Sequence, residues 1–150
     1  MLKLSRKTLL ALEAVIDIAF NTRPEPVQAK EITARQGVPQ RYLEQVMQQL
    51  VRAGILKGVR GPRGGYRLAK ERRRISVGDI VRAAETGEEE NGEDGAPRSE
   101  LGVRIINPII QSLQGEIISK LDSITVEDLC RQARASGVHA GERTSADFTI

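Results

Sequence analysis

Five side chains within one short stretch, Gln40, Arg41, Glu44, Gln45 and Gln48, carry hydrogen-bonding groups that can recognise the edges of nucleic-acid bases. An arginine fork matches guanine, a glutamine amide matches adenine, and a glutamate accepts from the cytosine amino group. A little further on, Arg60, Arg63 and Arg67 surround the glycine-rich run GPRGG. Cations on a narrow turn can grip phosphates or enter a minor groove. Arg6 and Lys7 lie near the start of the chain, where a positive pair is the wrong sign for a helix N-terminus and suits an external phosphate or plain solvation.

Other chemistries find little support. Cys130 is the only cysteine, so no intrachain disulfide, paired-cysteine site or cysteine-rich zinc site can form within one chain, and a reducing, cytoplasmic setting is expected. His139 is the only histidine and sits in a C-terminal stretch without periodicity. No nucleophile is accompanied by a recognisable base and no paired-carboxylate signature is present, so an enzyme is not expected. The glycines of GPRGG lack the Lys-Ser/Thr of a phosphate loop. The acidic run from Glu88 lacks the ligand spacing of a calcium loop, so no metal or cofactor is expected.

The elements that must position the base-reading and phosphate-binding groups follow from the pattern. Leu9, Leu12, Ile16 and Ala19, with Leu10 and Ala14, predict a first helix from about Ser5 to Phe20. A second is expected over Gln28 to Gln36, closed by Gly37. Pro39 is placed as the first residue of a third, because a missing N–H is no loss there. Leu43, Val46, Met47, Leu50 and Val51 turn one face of that third helix inward, leaving Gln40, Arg41, Glu44, Gln45, Gln48, Gln49 and Arg52 outward. Helix, glycine turn, helix is a helix-turn-helix, whose second helix enters the major groove.

Gly54 ends that helix. Ile55 to Arg60, the loop Gly61 to Gly65 and Tyr66 to Ala69 predict a β-hairpin wing. Ser76-x-x-Asp79 has the form of a helix-start box for a helix from Val77 to about Glu85, stopped by Gly87. The predicted fold is mainly α with a small β-hairpin wing (α+β): a winged helix-turn-helix domain over residues 1–87, followed by a long helix.

Residues 1–87 hold 17 Lys+Arg against 8 Asp+Glu, an excess of +9, whereas residues 88–150 hold 6 against 12, an excess of −6. A basic front half suits a polyanionic partner. Residues 88–102 are read as an acidic flexible loop with nothing to bury. Residues 103–136 are read as a long helix, either a core helix of the single chain or one that faces a second partner surface, followed by a short helix that starts at the Thr125-x-x-Asp128 box and includes Cys130; 137–150 is a tail. In the long helix, Ile106, Ile110, Leu113, Ile117 and Leu121 form a stripe, widened by Ile105, Ile109 and Ile118, beyond what a lone amphipathic helix needs. Either Asn107 caps a helix starting at Pro108, or a longer helix bends there. No segment reaches the length of a membrane span, and Glu13 and Asp17 interrupt the first apolar run, which is not read as a signal peptide.

The motifs YLEQ at Tyr42 to Gln45, LVRAGIL at Leu50 to Leu56 and VRGPRGGYRLA at Val59 to Ala69 make the chain resemble the Rrf-two family of bacterial winged-helix transcriptional regulators, a likeness that also takes in Ile75 to Ala84. That resemblance implies a homodimeric repressor on a palindromic operator in double-stranded DNA, with the long helix of residues 103–136 as the dimerisation helix, Tyr42 and Glu44 in or beside the major groove and Arg60 in the minor groove. Cluster-binding members carry three cysteines in the loop corresponding to 88–102; this loop has none, which implies a regulator without an iron–sulfur cluster, and leaves control to a small molecule between the wing domain and the long helix, a protein partner, or oxidation at Cys130. Pro39 and Arg41 stand where members often have small polar residues, and Leu10 where a tyrosine is common. The reading from another class is a protein-interaction subunit that docks its winged helix on a protein partner.

Overall fold

The computed structural model describes residues 4–21, 24–85 and 99–138. Gly87, most of the acidic loop, His139 and the tail beyond Val138 lie outside the described residues. Helix α1 (Arg6–Phe20) is the centre about which the others pack. Ser5 starts it by accepting the Thr8 N–H at 3.1 Å, satisfying one of the N–H groups that a helix start leaves over. Its deeply buried face is Leu10, Ala11, Ala14, Val15, Ile18 and Ala19. Leu9, expected in the inward stripe, is 48% exposed; the small residues at 11 and 14 let neighbouring helices come close on the other side, and the burial follows them.

Helices α2 (Ala29–Gln36) and α3 (Gln40–Arg52) form the helix-turn-helix. Pro39 is the residue before α3 rather than its first turn, extended at ψ 134° and accepting the Leu43 N–H through its carbonyl. Leu43, Val46, Met47 and Leu50 are buried, as the spacing predicts. Gln49, expected outward, turns in and donates to the carbonyls of Ala83 and Ala84 at 2.8 and 3.2 Å, supplying partners that the end of a neighbouring helix lacks.

The hairpin is shorter than expected. Strands β1 (Leu56–Val59) and β2 (Gly65–Leu68) pair antiparallel with Lys57 opposite Arg67 and Gly58 opposite Tyr66. Val27 adds a third rung through reciprocal bonds to Tyr66, 3.0 and 2.8 Å. That rung is why residue 65 is glycine: a Cβ there would sit 2.4 Å from the Val27 carbonyl oxygen.

A short 3-10 turn (Arg72–Arg74) leads to α4 (Val77–Glu85), started by the expected box, with the Ser76 N–H on Asp79 at 3.0 Å and the Asp79 N–H on Ser76 Oγ at 3.0 Å. After the undescribed segment, Ser99 opens a helical run from Glu100, so the last residues assigned to the acidic loop are helical. A π-helical turn (Gly102–Ile106) precedes α5 (Asn107–Asp122). Asn107 does not cap a helix that starts at Pro108, because Ile106 and Asn107 are themselves helical and the chain runs from the π turn straight into α5. Pro108 has no N–H to donate, and the widened turn, in which the Asn107 N–H reaches the Gly102 carbonyl, absorbs that break. Helix α6 (Val126–Ala135) begins at the second box, Thr125 with Asp128, and buries Val126 and Cys130 against the core. No residue of α5 is buried.

Candidate nucleic-acid interface

The α3 surface presents Gln40, Arg41, Glu44, Gln45 and Gln48 exposed, while Tyr42 is half-buried against the core. Glu44 does not stand free: Gln40 Nε2 donates to its Oε1 at 3.1 Å, an i,i+4 pair that fixes the carboxylate toward the start of the helix. The first turn of α3 holds no acidic residue and no side chain caps its N–H groups. Those donors and the helix dipole are suited to a phosphate oxygen.

The wing follows directly, because α3 packs on β1. Arg60 and Arg63 are exposed on the loop between the strands, closed by the Gly64 N–H on the Gly61 carbonyl at 2.9 Å. Arg67 differs from its expected role at the tip. It lies within β2, half-buried, and its guanidinium donates to the Pro24 carbonyl, pinning the strand to the connector after α1. Arg6 is exposed and Lys7 half-buried on another element, the first turn of α1.

One contributor escaped sequence reasoning. Asp17, 5% exposed at its side chain, pairs with Arg35 through Oδ1 at 2.5 Å and Oδ2 at 2.8 Å, with Gln36 and Asn21 completing its shell. This bidentate pair locks α2 to α1 and so sets the platform from which α3 projects. An aspartate at an i,i+4 offset from Asn21 is the only signal in the sequence, and the Arg35 partner is eighteen residues away.

On the long helix, Ile106 and Leu113 are 51% and 42% exposed, and Ile110, Ile117 and Leu121 half-buried; Leu101, Val103, Ile105 and Ile109 are exposed as well. The reading of this segment as a core helix of the single chain therefore fails. Its C-terminal end is tied to α4 by Arg82, which reaches Asp122 at 2.7 Å and Asp79 at 3.1 Å. Gly78 leaves room for that junction, since a Cβ would fall on the Asp122 carboxylate. Among the described residues, no helix is long and apolar enough to cross a membrane.

The comparisons with known proteins agree with this geometry. Residues 4–132 match the family model Rrf2, iron-dependent transcriptional regulator. The chain is 34% identical over 150 residues to the HTH-type transcriptional regulator IscR of Vibrio atlanticus (strain LGP32), covering 99% of this chain and 86% of that relative. Among solved structures, T. potens IscR superposes with a TM-score of 0.69 at 36% identity, covering 87% of this chain and 88% of the other. CymR, the global cysteine regulator of B. subtilis, gives 0.67 at 32% identity, covering 88% and 98%.

Proposed function

The chain belongs to the Rrf2 family and is a DNA-binding transcriptional regulator, and from that membership we propose that it acts as a homodimeric repressor on a palindromic operator, in the cytoplasm and without enzymatic activity. The observation that carries the reading is that one chain combines an exposed polar helix face without a side-chain N-cap, an adjoining arginine-bearing wing, and a long helical segment with exposed isoleucines and leucines. Two copies joined along that helix would set two reading heads about 34 Å apart, one DNA turn. In this assignment Gln40, Arg41, Tyr42, Glu44, Gln45 and Gln48 address the major groove and Arg60 and Arg63 the minor groove or its phosphates. Arg6 and Lys7 add phosphate contacts, and Arg67 acts by holding the wing base. Residues 1–87 form the reading unit and Ile106, Ile110, Leu113, Ile117 and Leu121 the dimer seam.

The alternative of a winged helix docked on a protein partner is not favoured, because the relatives are named as transcriptional regulators. The family description is iron-dependent, yet the donor set of this chain does not fit a family-type iron–sulfur cluster. Such clusters are held by several thiolates; this chain has one cysteine, and Cys130 faces the core. Its thiol is pushed up by burial, against the pull of Arg72, and stays protonated at neutral pH. The proposed control is by a small molecule or a protein.

Selection of bound fragments from the source genome, followed by gel shifts on the enriched site, tests the proposal. A palindrome bound by two chains, with affinity falling steeply as salt rises, is the expected result. Salt-insensitive binding without a preferred site would sink it.

A further inference from the structure

At the base of the wing, at the opposite end of the strands from the arginine tip, lies a cavity of about 720 Å³ bounded by β2, the end of α1, the 3-10 turn and α6. Its wall is rich in cations, and their placement is costly without an anion. Lys57 and Arg67 are directly opposed across the two strands, and like charges in that register repel. Lys70 joins them. Three carboxylates, Glu25, Glu71 and Glu127, share the wall with six cations, so a positive excess remains; Glu71 is engaged by Arg73 at 2.7 Å, and Glu127 by Arg72 at 3.0 Å and Arg131 at 3.7 Å. Among the described residues, Arg67 donates to the uncharged Pro24 carbonyl. Among the described residues, Lys57 and Lys70 have no carboxylate within ion-pair distance.

The floor of the same cavity is apolar. Ile18 and Val27 are buried beneath it, and Tyr66 and Leu68 are half-buried along it. Convergent polar groups over an apolar floor are the usual composition of a small-molecule site. A bare inorganic ion would satisfy the cations and leave the floor wet.

We propose that this cavity binds a small organic anion, with a phosphate or carboxylate head between Lys57, Arg67 and Lys70 and an apolar body against Tyr66 and Leu68. Its regulatory meaning rests on the function proposed above, because a ligand there would tie the wing to α6, the helix that follows the dimer helix. The binding itself does not depend on that function and is measured without DNA, so the two can fail separately.

The test is calorimetric titration of the full chain with phenyl phosphate and with inorganic phosphate, repeated on the Lys57→Gln/Lys70→Gln double variant. Both lysines are exposed, so the variant is expected to keep its melting temperature. Saturable binding of phenyl phosphate is expected, about tenfold tighter than inorganic phosphate and weakened about tenfold or more in the variant. The proposal is overturned by no saturable heat up to about 10 mM, by equal affinity for the two probes, or by affinity unchanged in the variant. If the wild type ignores phenyl phosphate while the double variant loses operator affinity, the cations serve the DNA backbone and the cavity is not a ligand site.

Discussion

Glu44 brings a negative charge into a surface that otherwise presents amides and arginine, and the Gln40 amide holds it at 3.1 Å. A carboxylate beside DNA repels phosphate, so it weakens binding everywhere except where it accepts from a base donor. Glu44→Ala is therefore expected to relax sequence preference by about 1–3 kcal/mol at one base pair while leaving non-specific affinity equal or higher. Arg60→Ala should instead weaken binding to all sequences and make the salt slope shallower by about one. Filter binding on operator and random duplexes across a salt series separates the two, and identical behaviour would refute the assigned roles. Cys130 supplies a third expectation at this scale. A buried thiol with a raised pKa is a poor nucleophile, so the native protein should react with a thiol reagent only at the rate of unfolding, and mild peroxide should leave DNA affinity unchanged.

Helix starts and strand crossings decide the element scale. Partial burial disfavours the charged form of Asp79, but the Ser76 amide and hydroxyl together with Arg82 outweigh it and hold the carboxyl below its ordinary value. With the folded pKa depressed, the stabilisation is fully present above the unfolded carboxylate value and is lost as pH falls through the folded one. Thermal melts of wild type and Asp79→Asn should thus differ most near neutrality and converge in acid. Ser76→Ala should lower stability by about 1 kcal/mol at neutral pH. In the wing, Gly65→Ala would drive a methyl into the Val27 carbonyl. A loss of about 1–3 kcal/mol is expected, with hydrogen exchange at the Tyr66 amide accelerated ahead of the α3 core; protection unchanged at Tyr66 would show that the third rung is dispensable. The two helix-start boxes and the hairpin were legible because their signals are local. The π-helical turn before Pro108 was not, since proline announces a break without saying whether the chain caps, bends or widens there.

Across the whole molecule, the long helix and the turn before it hold Leu101, Val103, Ile105, Ile106, Ile109 and Leu113 as an apolar surface that a single chain leaves exposed. Contiguous patches of this kind mark interaction sites. Replacing Ile106 and Ile110 by glutamate should convert the proposed dimer to a monomer by light scattering, with the fold of the reading unit kept, because Ile106 is exposed and Ile110 only half-buried in the single chain. Operator affinity should fall far more than that of a single half-site, since the second head no longer benefits from linkage to the first. A variant that remains dimeric would place the seam elsewhere.

The order of helices, the wing and the polar outward face of α3 could be read from the sequence, because apolar spacing, glycine turns and capping boxes act over a few residues. Tertiary structure alone decided which face of α1 is the core, that Gln49 turns inward to α4, that Arg67 braces the wing base instead of its tip, and that Asp17 finds Arg35. Each of those outcomes depends on which element comes to lie against which, and a contact between residues far apart in the chain leaves no local spacing by which to be read.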